Sequence, residues 1–259
     1  YGKKLKIPVV VSEHSSAYLP YAAVDYSDFR MKMIRKVAPL FEAILPVSVH
    51  LMTEMKNKMV RGNFQIIPNV LDPIFTLRDR PKSNEEYQFL HISTGAPLKN
   101  IGKIITAFSE LTTDTDCHLT IAGLEYPQYW IDFVEKENIH SQNITILGRQ
   151  YPEDVARLMQ SHDCFVCASD YETFGVVIIE ALACGMEVIS PPLPTVQEIF
   201  VKFETGTLYQ TGSERGLVRA MESTMKKGQT YRTEIARKVQ YTYGLEQVGK
   251  QLWNIYESL

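Results

Sequence analysis

No run of about 18 apolar residues occurs in the 259-residue chain, so nothing in it is built to span a membrane as a helix. No secretory leader is read at its start, which is Tyr1-Gly-Lys-Lys rather than Met, the opening expected of a processed or truncated chain. Basic charge is not in excess. The formal net charge is -3, which argues against a dedicated nucleic-acid binder. Cysteine is scarce: Cys117, Cys164, Cys167 and Cys184. Cys164 and Cys167 form a C-x-x-C, but on a strand an odd offset sends the side chains to opposite faces. That geometry suits a shared zinc poorly, and no second pair or histidine cluster completes a site. Buried free thiols in a reducing cytoplasm are the reading, with a metal-binding pair as the alternative. Also missing are solenoid-type repeats, low-complexity tracts, a G-x-S-x-G elbow and a Walker-type lysine loop. What is present is ordinary for a globular protein: 45% apolar and 22% charged residues, enough for one large domain or two modest ones.

The most informative stretch is Glu172-Thr-Phe-Gly-Val-Val-Ile-Ile-Glu180, continuing Ala-Leu-Ala-Cys-Gly185. Upstream, Asp163–Ser169 reads as a strand. Downstream, Val176 to Cys184 is apolar except for Glu180 and too long for a strand, and Gly185 is placed to stop a helix. The order is strand, polar turn, helix N-terminus. Gly175 lets a ligand approach the backbone, and the first helical N–H groups favour an anion. Glu180 sits among Val177, Ile178, Ile179, Ala181 and Leu182. A carboxylate in such a setting costs several kcal/mol unless something donates to it. A sugar diol would serve, and a lysine or arginine of the protein is the alternative. If the whole interval were helical, Glu172 and Glu180 would lie about 12 Å apart along the axis.

This composite resembles the E-x7-E motif of retaining glycosyltransferases with the GT-B fold, especially glycosyltransferase family 4. The match runs on through Gly185, Val188, Ile189 and Glu198. The resemblance implies that Glu172 holds the hydroxyls of a donor sugar and Glu180 the ribose. It also implies that Thr173, Phe174, Gly175 and Val176 line the donor beside its diphosphate.

Other segments extend the resemblance. Lys6–Ser12 reads as a buried strand, and Glu13-His14 follows at its C-terminal end, where open α/β sheets put ligands. A lone histidine is more often structural. The resemblance implies a functional His14 near donor sugar and acceptor. Phe64-Gln-Ile-Ile-Pro-Asn-Val-Leu-Asp72 resembles the family's "I-P-N-G-V-D" crossover, with Val70 where glycine is usual and Phe75 as its aromatic. Thr94-Gly-Ala-Pro-Leu-Lys-Asn100 is a turn before a helix. Gly95 and Lys99 there suit a phosphate, with a solvated loop lysine as the alternative. Family members carry an arginine five residues before the lysine, where this chain has Thr94. Lys103 is the nearest later cation. The loop matching Gly148-Arg149-Gln150-Tyr151 receives the nucleotide base, largely through backbone and packing.

The remaining periodicities predict helices over Tyr26–Ala43, Val49–Met59 with Ser48 as N-cap, Ile101–Leu111, Tyr126–Asn138, Asp154–Ser161 and Glu214–Lys226. Strands are expected over Ala43–Ser48, Tyr87–Ser93, Cys117–Gly123, Ile144–Gly148, Glu187–Ser190 and Gly206–Tyr209. Tyr26–Ala43 interleaves Arg30, Lys32, Arg35 and Lys36 with Met31, Met33, Ile34 and Val37. It reads as an amphipathic helix with a solvated basic face, and a helix lying on anionic lipid is the alternative. A last helix, Leu245–Leu259, lines up Leu245, Val248, Leu252, Ile255, Tyr256 and Leu259.

The alternation predicts an α/β fold with a parallel sheet. With the resemblance it becomes a GT-B-like pair of Rossmann-like domains. Residues 1–76 would be a partial N-terminal domain, 77–86 a linker and 87–240 the nucleotide-sugar domain. Residues 241–259 would form a helix crossing back. The implied activity is transfer of a sugar from a nucleotide-diphosphate donor to an acceptor hydroxyl with retained configuration, in polysaccharide or glycan biosynthesis. It needs no cofactor or metal. The acceptor would be a glycan or lipid-linked, and the location cytoplasmic, with peripheral contact at the inner membrane face. A non-catalytic nucleotide-sugar binder and a GT-B epimerase or phosphorylase are the alternatives.

Overall fold

The structure, a computed structural model, describes residues 7–20, 22, 26–78, 86–111, 116–139, 141–213, 215–227 and 233–259. Lys6, most of the linker expected over 77–86, and Glu214 lie outside them. The chain forms two compact units. The smaller comprises Tyr1–Val70, Tyr171–Gly175 and Tyr241–Leu259, the larger Leu71–Asp170 and Val176–Gln240.

In the smaller unit, β1 (Val10–Glu13) pairs in parallel with β2 (Ala43–Pro46). Between them lies α1 (Asp28–Val37). It is shorter than the expected Tyr26–Ala43. Ser27 caps its first turn by accepting from Arg30 N, and the chain tightens into a 3-10 turn over Ala38–Leu40, where Pro39 lacks a helical N–H. The helix buries Met31, whereas Phe29 is 75% exposed and Met33 is also exposed. α2 (Val49–Asn57) starts as its sequence indicates, with Ser48 Oγ accepting from Leu51 N at 3.1 Å.

The larger unit alternates strand and helix. It runs β3 (Tyr87–Ile92), α3 (Ile101–Ser109), β4 (Cys117–Leu124), α4 (Pro127–Lys136), β5 (Ile144–Gly148) and α5 (Pro152–Ser161). It continues β6 (Cys164–Val166), α6 (Val176–Ala183), β7 (Glu187–Ser190), α7 (Pro194–Phe203), β8 (Thr207–Leu208) and α8 (Gly216–Lys227). Helix α5 begins two residues before the expected Asp154, because Pro152 fits the first helical position, where no N–H is needed. Helix α6 ends as its glycine foretells. Gly185 takes φ 82°, its N–H donates to Leu182 O, and Met186 N–H donates to Ala181 O, a Schellman closure.

The six strands of this sheet are all parallel and lie in the order β5-β4-β3-β6-β7-β8. Counted within the unit, this is the doubly wound order 3-2-1-4-5-6. Neighbouring Phe89 and Leu90 point to opposite faces and both are fully buried, so both faces of the sheet are covered. On one face Phe89, Ile101, Ile104, Ile105 and Phe108 form the heart of the core.

Two helices close the chain, α9 (Thr233–Tyr243) and α10 (Leu245–Glu257). The sequence reading had no α9, although buried Ala236, Val239 and Tyr243 recur at helical spacing. In the smaller unit, Ile255 and Leu252 of α10 pack against Ala43 and Leu45 of β2. The buried face of α10 is narrower than expected, since Leu245, Tyr256 and Leu259 are exposed. No helix among the described residues is long and apolar enough to cross a membrane.

Candidate functional site

In the larger unit the strand order reverses between β3 and β6, so the loops after these strands flank the crevice where such sheets bind ligands. A buried histidine shapes the first loop. His91 Nδ1–H donates to Val166 O of the neighbouring strand at 2.8 Å, which leaves Nε2 to bond Ser93 Oγ at 2.9 Å. Ser93 Oγ in turn accepts from Gly95 N at 3.3 Å. Burial, with a smaller contribution from the Lys99 charge, pushes His91 down to about 4, so it is neutral at pH 7. Gly95 takes φ 89°, a left-handed conformation that favours glycine.

The two loops are tied together by Asn100. Its side-chain amide donates to Ala168 O at 2.9 Å and to Asp170 Oδ1 at 2.7 Å, and Asp170 N donates to Leu98 O at 2.9 Å. Lys99 ends the short 3-10 turn just before it and is half-buried. His91, Ser93 and Asn100 were not singled out in the sequence. The cross-strand partners of His91 and Asn100 lie about seventy residues away, beyond any local pattern, and Ser93 matters through its bond to His91.

Helix α6 carries Val176 at its exposed start and Glu180 one turn on. The interval from Glu172 is not one helix, because helical geometry begins only at Val176, so the expected axial spacing between the glutamates does not apply. Gly175, at φ 78°, makes the turn. Burial pushes the Glu180 carboxyl up to about 7, and the Asp72 charge adds to the rise. No hydrogen bond from a described residue offsets that cost, and no lysine or arginine pairs with it. Asp72 itself sits in the turn of the "I-P-N" segment, where its Oδ1 accepts from Ile74 N, and Phe75 is buried. Val70, in the usual glycine position, is exposed and does not take a positive φ.

At the carboxyl end of β5, Arg149 is 80% exposed and ion-paired with Glu125 at 3.3 Å. Gln150 folds its amide back onto the carbonyls of Gly148 and Arg149, and Tyr151 is exposed ahead of α5. Thr94 is exposed, and its carbonyl accepts from Glu125 N at 3.0 Å. Lys103 lies over the Tyr209 ring at 5.1 Å. Thr94, Gly95, Lys99, Arg149, Gln150, Tyr151, Val176 and Glu180 thus occupy loops or a helix start that follow the carboxyl ends of β3, β5 and β6.

The other candidates belong to the smaller unit. His14 follows β1, with Nε2 bonded to Ser12 Oγ at 2.7 Å. Glu13 Oε1 accepts from the backbone of His14 at 3.0 Å and of Ser15 at 2.8 Å, which sets the turn. Ser48 does double duty: while accepting from Leu51 N, its hydroxyl donates to Thr173 O at 2.7 Å. Phe174 is buried edge-on against Tyr243, ring centroids 5.5 Å apart. Glu172, next to Thr173 in the same segment, is half-buried. All four cysteines are free thiols and buried, and no group of three or more metal-ligating side chains occurs among the described residues.

A family model described as glycosyl transferases group 1 matches residues 75–240. N-acetyl-alpha-D-glucosaminyl L-malate synthase of Bacillus anthracis is 26% identical over 229 residues, which cover 83% of this chain but 59% of that protein. The chain therefore spans less than two thirds of this curated relative's length. Among solved structures, sucrose-phosphate synthase from Thermosynechococcus elongatus aligns with a TM-score of 0.83 at 20% identity, over 99% of this chain and 70% of that one. Anabaena HepE in complex with UDP-glucose aligns at 0.82 and 17% identity, over 100% of this chain and 74% of that one. With its doubly wound parallel sheet and a family match over more than half its length, this GT-B-like chain belongs to the glycosyl transferases group 1 family.

Proposed function

We propose that the complete protein is a retaining glycosyltransferase that moves a sugar from a nucleotide-diphosphate donor to an acceptor hydroxyl. The observation that carries this is Glu180, a largely buried carboxylate on a helix following the switch-point strand, with no donor among the described residues. Ribose hydroxyls supply the missing donors. Glu172 holds the hydroxyls of the donor sugar, and His14 orients the sugar or handles a proton there. Thr173, Phe174, Gly175 and Val176 lead the chain past the diphosphate into the start of α6, whose unpaired N–H groups favour an anion. Lys99 adds the cation, and the Gly148–Tyr151 loop receives the base beside Thr94 and Gly95. Electrostatic stabilisation of the departing diphosphate by these groups needs no metal.

That Anabaena HepE was solved with UDP-glucose supports a nucleotide sugar as donor. The acceptor is a glycan or a lipid-linked one, and the setting is glycan biosynthesis in the cytoplasm. The exposed Phe29 and Met33 beside Lys32 and Lys36 on α1 support peripheral contact with an anionic inner membrane face. One observation favours a second reading, a non-catalytic nucleotide-sugar binder. Thr94 stands where arginine is usual, and Arg149 is already paired with Glu125.

Steady-state kinetics on the full-length protein separate the readings. A transferase releases nucleoside diphosphate from its donor and forms a glycoside, and Lys99→Ala lowers kcat by roughly 10²–10³-fold, comparable to losing one preorganised oxyanion donor. Binding without turnover would support the binder. A product formed without acceptor, or only with phosphate, would point to an epimerase or a phosphorylase.

A further inference from the structure

One cavity of the larger unit has a volume of about 620 Å³ and opens beside the first turns of α4. Its lining alternates two kinds of group. Tyr126 is 71% and Tyr129 63% exposed, and both line it together with Trp130. Glu125, Gln128, Asp132 and Thr94 supply oxygen and amide groups. Among its lining residues none is basic, while two are carboxylates. With no cation among the lining residues, the cavity offers a diphosphate no direct charge partner. A neutral polyhydroxyl ligand finds what it needs, aromatic faces for its C–H surfaces and carboxylate or amide groups for its hydroxyls.

The site is also braced before any ligand arrives. Trp130 and Phe133 pack against the buried core, with their rings 5.7 Å apart. Tyr129 stands edge-on to Trp130 at 5.0 Å and an interplanar angle of 89°. Asp132 commits Oδ1 to Gln128 at 2.7 Å, and Glu125 commits Oε1 to Arg149 at 3.3 Å, so one oxygen of each carboxylate is fixed in direction. Aromatic rings held in place lose little conformational freedom on binding. The volume falls in the range of small-molecule sites and has room for more than one sugar ring.

We infer that this pocket is a saccharide subsite that binds a neutral oligosaccharide by stacking on Tyr126 and Tyr129. It goes beyond the donor site. It shares Thr94 and Gly95 with the loop after β3, but neither Glu180 nor Lys99 lines it. A glycan held here would raise the local concentration of acceptor ends around the enzyme.

The test is calorimetric titration of the chain with maltotetraose, cellotetraose, chitotetraose and mannotetraose, and separately with UDP and GDP. The expected result is micromolar to low-millimolar binding of at least one tetrasaccharide. The Tyr126→Ala/Tyr129→Ala double variant weakens it at least about tenfold, while the double phenylalanine variant keeps it, because stacking needs the ring and not the hydroxyl. Nucleotide affinity stays within about twofold in both variants. Both tyrosines are exposed, so the variants should fold, as circular dichroism will check. No binding of any tetrasaccharide, or binding undiminished in the double alanine variant, overturns the inference. A nucleotide affinity that falls together with the tyrosines also overturns it and makes the pocket a nucleoside seat. Absence of nucleotide binding by the wild type, with saccharide binding intact, counts against the donor reading and leaves the subsite standing.

Discussion

Among the described residues, the larger unit buries both faces of a six-stranded sheet, whereas the smaller one has a two-stranded sheet. The same strand-helix grammar is at work in both. The difference lies in how much apolar surface each helix finds to cover. Helix α3 buries Ile101, Ile104, Ile105, Ala107 and Phe108, while α1, of similar length, buries Met31. Beneath α1 the chain leaves a cleft of about 340 Å³ lined by residues such as Val11, Tyr18, Ile34 and Ile44. An amphipathic pattern therefore states which face of a helix is apolar, but not whether that face is covered.

The largest effect that would sharpen this contrast comes from the cores themselves. Phe89→Ala removes a fully buried ring between Tyr87 and Phe108 and should destabilise the larger unit by about 3–5 kcal/mol. Met31→Ala, which removes the smaller side chain of the one residue that α1 buries, should cost less, about 2–3 kcal/mol. Urea titrations of both variants measure this. Equal losses would show that the smaller unit is as tightly built as the larger.

Next in size is Glu180. Its folded carboxyl titrates near 7 against 4.5 for a free glutamate. The folded state therefore holds this proton more tightly than the unfolded one, and stability falls as pH rises from about 4.5 to about 7, then levels off. Glu180→Gln removes that loss. It should match wild type near pH 4 and exceed it at pH 8 by on the order of 2–3 kcal/mol. The same change should weaken nucleotide binding by about 1–3 kcal/mol. Wild-type binding should tighten as pH rises through about 7, because ribose hydroxyls donate to the ionised form. Denaturation and calorimetry across this pH range give both slopes. A flat stability difference would place the carboxyl in water, contrary to its burial in the larger unit.

The smallest effect belongs to the smaller unit. Ser48→Ala removes the α2 cap and the hydrogen bond to Thr173 O together, and should cost about 1–2 kcal/mol. Ser48→Thr should restore most of it. Faster amide exchange over residues 171–175 in the alanine variant would show that the hydroxyl steadies this loop. Unchanged exchange would limit Ser48 to capping its own helix.

Much of this was legible in the sequence because it is local. Gly185 ends α6 and Ser48 starts α2 through backbone chemistry confined to a few residues. Helix boundaries drifted where proline set the first turn, as at Pro152, or ended it, as at Pro39. The glutamate motif and the Gly95–Lys99 loop were named as candidates from residue types and spacing together with the family resemblance.

By itself, then, the sequence determined the alternation of strand and helix, the parallel sheet, and which short segments are candidates for ligand chemistry. Each depends on periodicity and turn residues within one element. Only the tertiary structure decided the rest. It reversed the strand order at β3 and β6, joined their loops through Asn100, and set His91 as a neutral link between Val166 and Ser93. It set Asp72 near Glu180, paired Arg149 with Glu125, and brought Thr94 and Gly95 to one cavity with Tyr126, Tyr129 and Asp132. Burial and charge act through space, and the groups that set them are separated in the chain by distances that no local pattern records.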